Sequence, residues 1–199
     1  MELRIPRGVR LTIGTVSGGQ DVEGLAGTAR LSSVSGGIRF EGAAESGEFN
    51  SVSGRVQVTG PMGRTSVSTV SGRAELDGLR GRVEVNTVSG RVGLQAAGPL
   101  DHLRARSVSG EIQVTGVVAP SASVEMESHS GSLTLRLDPS TPADYELDTM
   151  SGRIRNEITG DEARSPRFGP GRSLAFRVGE ASATIRMTSF SGTLTVESR

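Results

Sequence analysis

Apolar and polar residues alternate in short runs along this chain, and the runs flank one recurring turn. The tetrapeptide Ser/Thr-x-Ser-Gly occurs nine times, with its second hydroxyl residue at Ser17, Ser35, Ser53, Ser71, Ser89, Ser109, Ser130, Ser151 and Ser191. Successive copies lie 18, 18, 18, 18, 20, 21, 21 and 40 residues apart. A fixed period of this size marks a repeat architecture. With the Ser/Thr as the first position of each coil, the sixth is Gln20, Ile38, Val56, Ala74, Val92, Ile112, Leu133, Ile154 and Leu194. The eighth is Val22, Phe40, Val58, Leu76, Leu94, Val114 and Leu135. Ahead of the next turn, Leu31, Phe49, Val67 and Val85 sit two residues before the Ser/Thr, with mostly polar or charged residues between the apolar positions.

Alternation with a period of two predicts strands with one buried face, two main strands per coil, joined at a Gly-rich corner such as Gly78-Leu79-Arg80-Gly81. No segment has a helical period. Equal coil lengths place identical positions above one another, with Val56 between Ile38 and Ala74, as a parallel winding provides directly. The expected fold is all-β: a single parallel β-solenoid (β-helix) of about nine coils of 18–21 residues, right-handed by the usual crossover preference. At about 4.8 Å per coil it makes a rod roughly 40 Å long. No repeat should fold alone, because each buries its apolar row only against its neighbours. One domain spans 1–199: residues 1–14 as an opening coil with Leu3, Ile5, Val9, Leu11 and Ile13; 15–155 as regular coils; 156–188 as a lengthened coil or cap with a polar loop at 159–173; and 189–199 as the final strand.

Composition narrows the chemistry. Hydrophobic residues make up 34% and aromatics 3%, with no Trp and one Tyr, too few large side chains for a thick ordinary core. The 28 glycines suit many tight turns. Net charge is zero and every basic residue is Arg, so no global field draws nucleic acid, and the aromatics that stack bases are missing. The absence of Cys removes disulfides and thiolate metal sites. No run of about 18 apolar residues exists, so direct membrane insertion is not expected.

The serines invite a nucleophile reading. Nine equivalent copies share only His102 and His129, at different coil positions, and there is no Lys for a dyad. A structural turn fits better: Ser35-Gly36, Ser53-Gly54, Ser71-Gly72, Ser89-Gly90 and Ser109-Gly110. Strict alternation through Val83, Val85, Thr87 and Ser89 points both hydroxyls inward, where a stacked column can donate and accept along itself. The Gly then takes a backbone angle or a close approach that a Cβ would disfavour. The residue between the hydroxyls, Val34, Val52, Val70, Val88 and Val108, points outward as an apolar stripe. A local bulge tucking it inside, a bare surface stripe and a partner interface all fit the sequence.

Arg55, Arg73 and Arg91 share one coil position and should stack as a cationic ladder, helped by nearby Arg64 and Arg82. Glu48, Glu75 and Glu84 are available partners, and an anionic ligand is the functional alternative to a mixed-charge face. Glu23, Glu41 and Asp77 form an acidic row interrupted by Thr59, without the Gly-Gly-x-Gly-x-Asp repeat of a calcium β-roll. No metal site and no cofactor are expected. Gly169-Pro-Gly-Arg-Ser173 lacks the Lys and context of a phosphate loop.

The recurrent Ser/Thr-Val-Ser-Gly-x-Ile/Val-x-Val/Leu coils, and the segment from Phe176 to Val196, resemble a bacterial adhesin-labelled family, a domain of unknown function found in many cell-envelope proteins. That resemblance covers nearly the whole chain from Val9 onward. It implies a β-solenoid without established catalytic residues, often linked to envelope stress or surface attachment. It would place a trimmed chain at the cell envelope, whereas Met1 as a native start would make the protein cytoplasmic. The leading expectation is a non-catalytic scaffold presenting a regular face to a protein or glycan partner. The alternatives are a homo-oligomer assembled through coil ends or the valine stripe, and a carbohydrate-active β-helix enzyme.

Overall fold

The computed structural model describes residues 6–165, 170–180 and 182–199. Leu3 and Ile5 of the expected opening coil, and residues 166–169 of the polar loop, lie outside the described residues. In chain order the strands are β1 (Arg10–Thr15), β2 (Gln20–Glu23), β3 (Thr28–Ser33), β4 (Ile38–Glu41), β5 (Ser46–Ser51), β6 (Val56–Thr59), β7 (Arg64–Thr69) and β8 (Arg73–Thr87). They continue with β9 (Arg91–Ser107), β10 (Glu111–Ser128), β11 (Leu133–Leu137), β12 (Ala143–Thr149), β13 (Arg153–Asn156), β14 (Arg172–Val178), β15 (Ala183–Ser189) and β16 (Thr193–Ser198).

The chain winds as a parallel β-solenoid. One wall carries β1, β3, β5 and β7, then the second halves of β8, β9 and β10. The other carries β2, β4 and β6, then the first halves of the same three long strands. Val56 pairs with Ile38 on one side and Ala74 on the other, and all three are buried with Phe40, Val58 and Leu76. Phe40 and Phe49 meet edge to face across the interior, their rings 5.4 Å apart.

A third wall lies where a bare Gly-rich corner was expected. Leu25, Ala44, Met62, Leu79, Leu100 and Val118 are buried there. This wall also explains the lengthening period. Four residues (78–81) separate the two paired walls in β8, six (96–101) in β9 and seven (116–122) in β10, where the register shifts by bulges. Extra residues are absorbed at this corner and leave the other two walls in register.

The orderly winding covers about seven turns rather than nine. Beyond it, chain order and spatial order part. β15 pairs with β10 on one side and β12 on the other, and β16 lies between β11 and β13. The last motif in sequence is therefore the penultimate rung in space. β14 then covers β12 in antiparallel pairing, with Phe176 stacked on Tyr145 at 4.5 Å between rings.

The Ser-Gly turn differs from strict alternation. Thr87 is buried, but Val88 and Ser89 are both exposed and the interior position passes to Gly90. The chain turns a corner at Val88-Ser89, so the phase slips and the second hydroxyl faces out. Among the described residues the first hydroxyl bonds along the column only from Thr15 Oγ1 to Ser33 Oγ, at 3.3 Å. It closes its own turn: the Gly72 and Gly90 N–H groups donate to Thr69 and Thr87 Oγ1 at 3.0 and 2.9 Å, and the Ser51 and Ser107 hydroxyls donate to the Gly54 and Gly110 carbonyls. The exposed serine ties rungs together, as Ser71 and Ser89 Oγ donate to the Val52 and Val70 carbonyls at 3.3 Å. The motif glycine is required by close approach, since none of these glycines has a positive φ. A Cβ on Gly90 would overlap the carbonyl oxygen of Gly72 one rung away.

Gly90→Ala should therefore destabilise the fold by about 1–3 kcal/mol or more, as overpacking does. Gly93→Ala, three residues on, meets nothing within 4 Å and should stay within about 0.5 kcal/mol of the parent or gain slightly. Urea unfolding of the two variants measures the contrast. A second expectation concerns Tyr145, the only Tyr, whose buried hydroxyl has no hydrogen-bond partner. Burial raises its pKa from 10.0 to about 12. The folded state thus favours the protonated phenol: stability is full below pH ~10 and falls as pH rises toward 12, by up to about 2 kcal/mol. Tyr145→Phe should abolish that alkaline loss, read by urea unfolding at pH 9 to 12 alongside the phenolate absorbance of the parent.

Candidate functional site

The outward residue of each turn forms a row along the rod. Val34, Val52, Val70, Val88 and Val108 are between 44% and 49% exposed, and Val16 73%, so the bulge that would tuck them inside is not formed. Spatial order continues the row as His129, Phe190 and Met150, each N–H in turn bonded to the rung before or after it. The His129 and Phe190 rings stack with centroids 5.0 Å apart. Phe190 is 51% exposed.

Beside this stripe runs a second row, the residue just before each motif: Ser32, Asn50, Ser68 and Asn86, then Arg106 and Glu127. The two rows bound a groove of about 970 Å³ that reaches from Thr15 to Thr188. Its first rungs are uncharged, and Arg106 and Glu127 neutralise each other at 2.9 Å. A hollow of about 520 Å³ continues the groove past Phe190 and Met150, bounded by Asp148 and Pro170–Ser173. Burial pushes the Asp148 carboxyl above its usual range, with Glu146 adding to the rise and Arg186 opposing it.

Groove geometry restricts how a ligand can bind. The backbone along its floor is already used between rungs: Val34 N–H donates to the Thr15 carbonyl and Val88 N–H to the Thr69 carbonyl, both at 3.2 Å. No added strand can pair there, so recognition falls to side chains. The Ser/Asn row was not singled out from the sequence. Its signal was present, since four consecutive coils carry a small neutral polar residue directly before the motif.

The five arginines do not form one ladder. Arg73 pairs in register with Arg91, and Arg55 precedes Val56, the partner of Ala74. Arg64 and Arg82 also pair with each other, but on the other wall, where they share a depression with Glu45, Asp101 and His102. The strand from Arg64 to Thr69 and the turn after it separate the two groups. Arg91 is held by Glu111 at 2.9 Å and Arg73 approaches Glu75 at 3.9 Å. Glu48 instead pairs with Arg30 at 3.2 Å, and Glu84 accepts from Asn86. These are exposed pairs worth ~0–1 kcal/mol each. Glu23, Glu41, Thr59 and Asp77 do stack in one row. Among the described residues there is no group of three or more His, Asp or Glu arranged to hold a metal ion.

A family model described as Toastrack DUF4097 matches residues 1–164. The chain belongs to the Toastrack DUF4097 family. No curated protein and no solved structure matches it. Toastrack is a domain of unknown function with a solenoid fold, so membership carries the architecture and no activity. The adhesin label of the resemblance narrows to this coarser statement. The Toastrack match ends before β14, so β15 and β16 lie outside the matched residues.

The stripe's exposure sets an expectation for stability. Val88→Ser should shift it by no more than about 0.5 kcal/mol, whereas Leu103→Ala, at a buried position of the same wall, should cost ~2–5 kcal/mol. Chemical unfolding of both variants checks which rows carry the fold.

Proposed function

We propose that the protein is a non-catalytic binding scaffold whose ligand lies along the valine groove, and that this ligand is an uncharged linear glycan. The observation that carries the reading is the pairing of an exposed valine row with a neutral Ser/Asn row over four consecutive rungs. A pyranose has an apolar face for the valine methyls and hydroxyls for Ser32, Asn50, Ser68 and Asn86. Phe190 stacked on His129 offers an aromatic platform at one end. A peptide backbone fits less well, because it would bring two polar groups per residue to a floor whose own backbone is already paired. An acidic glycan would favour the arginine rows, but those are split between two walls and partly engaged by glutamates. The non-catalytic reading is supported by the motif serines, whose hydroxyls are directed at carbonyls of neighbouring rungs rather than at a base. Attachment to a polysaccharide surface, the role that the adhesin label implies, would follow from such binding.

Calorimetric titration with cello-, xylo-, manno- and chitohexaose, beside an oligogalacturonate, tests this. At least one neutral hexasaccharide should bind, and Val70→Asp or Phe190→Ala should weaken it about tenfold, roughly 1.4 kcal/mol. Folded protein that ignores all neutral probes, or prefers the oligogalacturonate, would overturn the reading.

A further inference from the structure

Among the described residues, the rung built from β15 and β16 is the one part of the solenoid whose neighbours both precede it in sequence. Residues 184–189 of β15 pair with 123–128 of β10, and all seven residues of β15 pair with β12 from Ala143 to Thr149. β16 pairs with β11 through Leu133↔Leu194 and with β13 through Ile154↔Leu194. Its interior side chains Ile185, Met187, Leu194 and Val196 are completely buried. The turn obeys the same order: a Cβ on Gly192 would overlap the Gly131 carbonyl, and one on Gly152 the Gly192 carbonyl. Ser191 Oγ donates to His129 O, and Ser151 Oγ to Phe190 O.

Without this rung, β10 and β11 face β12 and β13 across two strand spacings, about 9.6 Å, with four unpaired strand edges lining the gap. The chain thus builds both sides of a slot before it makes the segment that fills it. All contacts in the slot are between that segment and rungs far away in sequence, so nothing in them depends on the two belonging to one molecule. Only the link after Val178 does, and the residues it joins, Val178 and Ala183, both pair with Ala143, on opposite sides of β12.

We propose that the slot is a strand-acceptor site for a second copy of this chain, and that copies exchange residues 183–199 reciprocally to form a dimer. Each slot receives the same side chains, hydrogen bonds and glycine contacts as in the monomer, so exchange costs little beyond association, as in domain swapping generally. The balance between monomer and dimer is set by chain concentration against the effective concentration of the tethered segment. The inference rests on strand order alone and is independent of the groove and its ligand.

The absence of Cys allows a direct test on full-length chains. Thr134 and Thr195 are register partners on the outer face. One tagged chain carries Thr134→Cys and a differently tagged chain carries Thr195→Cys; they are unfolded, mixed, refolded at high concentration and oxidised. A double variant carrying both changes, refolded dilute, checks that the pair closes within a monomer. The expected result is a disulfide-linked hetero-dimer enriched at least about tenfold over the homotypic Thr134→Cys dimer, with a dimer mass by light scattering in the unsubstituted chain under the same conditions. Ready closure in the double variant, combined with hetero-dimer no more abundant than the homotypic product, overturns the proposal. Failure of the double variant to close overturns the strand order on which it stands.

Discussion

Parallel rungs about 4.8 Å apart bring each coil position against its own copies, and the sequence is shaped by what tolerates that company. An aliphatic column gains from it, because Ile38, Val56 and Ala74 exclude water from one another. A backbone carbonyl pointing along the stack leaves no room for a Cβ above it, and the motif glycine follows: Gly54, Gly72, Gly90 and Gly110 each sit on the carbonyl of the one before. The hydroxyls complete the same corner. One closes its turn from inside, and the other reaches from outside to the preceding rung.

How much of this is legible in the sequence depends on whether a feature repeats with a simple period. The two alternating walls do, and Phe40, Val58, Val67 and Val85 can be placed inside from spacing alone. The third wall does not. Leu25, Ala44, Met62 and Leu79 stand among glycines and bulges at unequal offsets, so alternation never marks them as core. The motif serine shows the converse hazard, because extending period two through a corner carries Ser89 one step too far inward. Among candidate site residues, the valine row is visible as a pattern, but its exposure is not, since only the corner geometry decides it. Arg64 and Arg82 look close to Arg73 in sequence and lie on another wall.

Strand order is illegible for a deeper reason. A column is built from identical contacts, so the motif specifies how a rung is shaped and says nothing of which rung it is. Ser191-Gly192 fits above Ser130-Gly131 as well as Ser151-Gly152 would. What selects the order is the surrounding chain: the antiparallel β14 pairs along one side of β12 before the chain returns as β15 on the other. The 40-residue interval was the one trace of this excursion. Exposed ion pairs between rungs, such as Arg104–Glu125 at 2.8 Å and Arg186–Glu146 at 2.6 Å, add little energy. They do favour one neighbour over another, since a like-charge neighbour at that position would repel.

The out-of-order rung also shapes the surface that a ligand would meet. Had the rungs stacked in chain order, the outward row would run His129, Met150, Phe190, with the aromatic ring at the far end of the stack. Because β15 and β16 enter the slot, Phe190 falls next to His129 and the rings stack, while Met150 moves outward beside Pro170–Ser173. The groove therefore changes character along its length. It is aliphatic and uncharged over its first rungs, and aromatic where the order is broken. A feature that only strand order creates thus lies at one end of the surface that the repeat creates, and both depend on the same glycine column holding every rung at the same spacing.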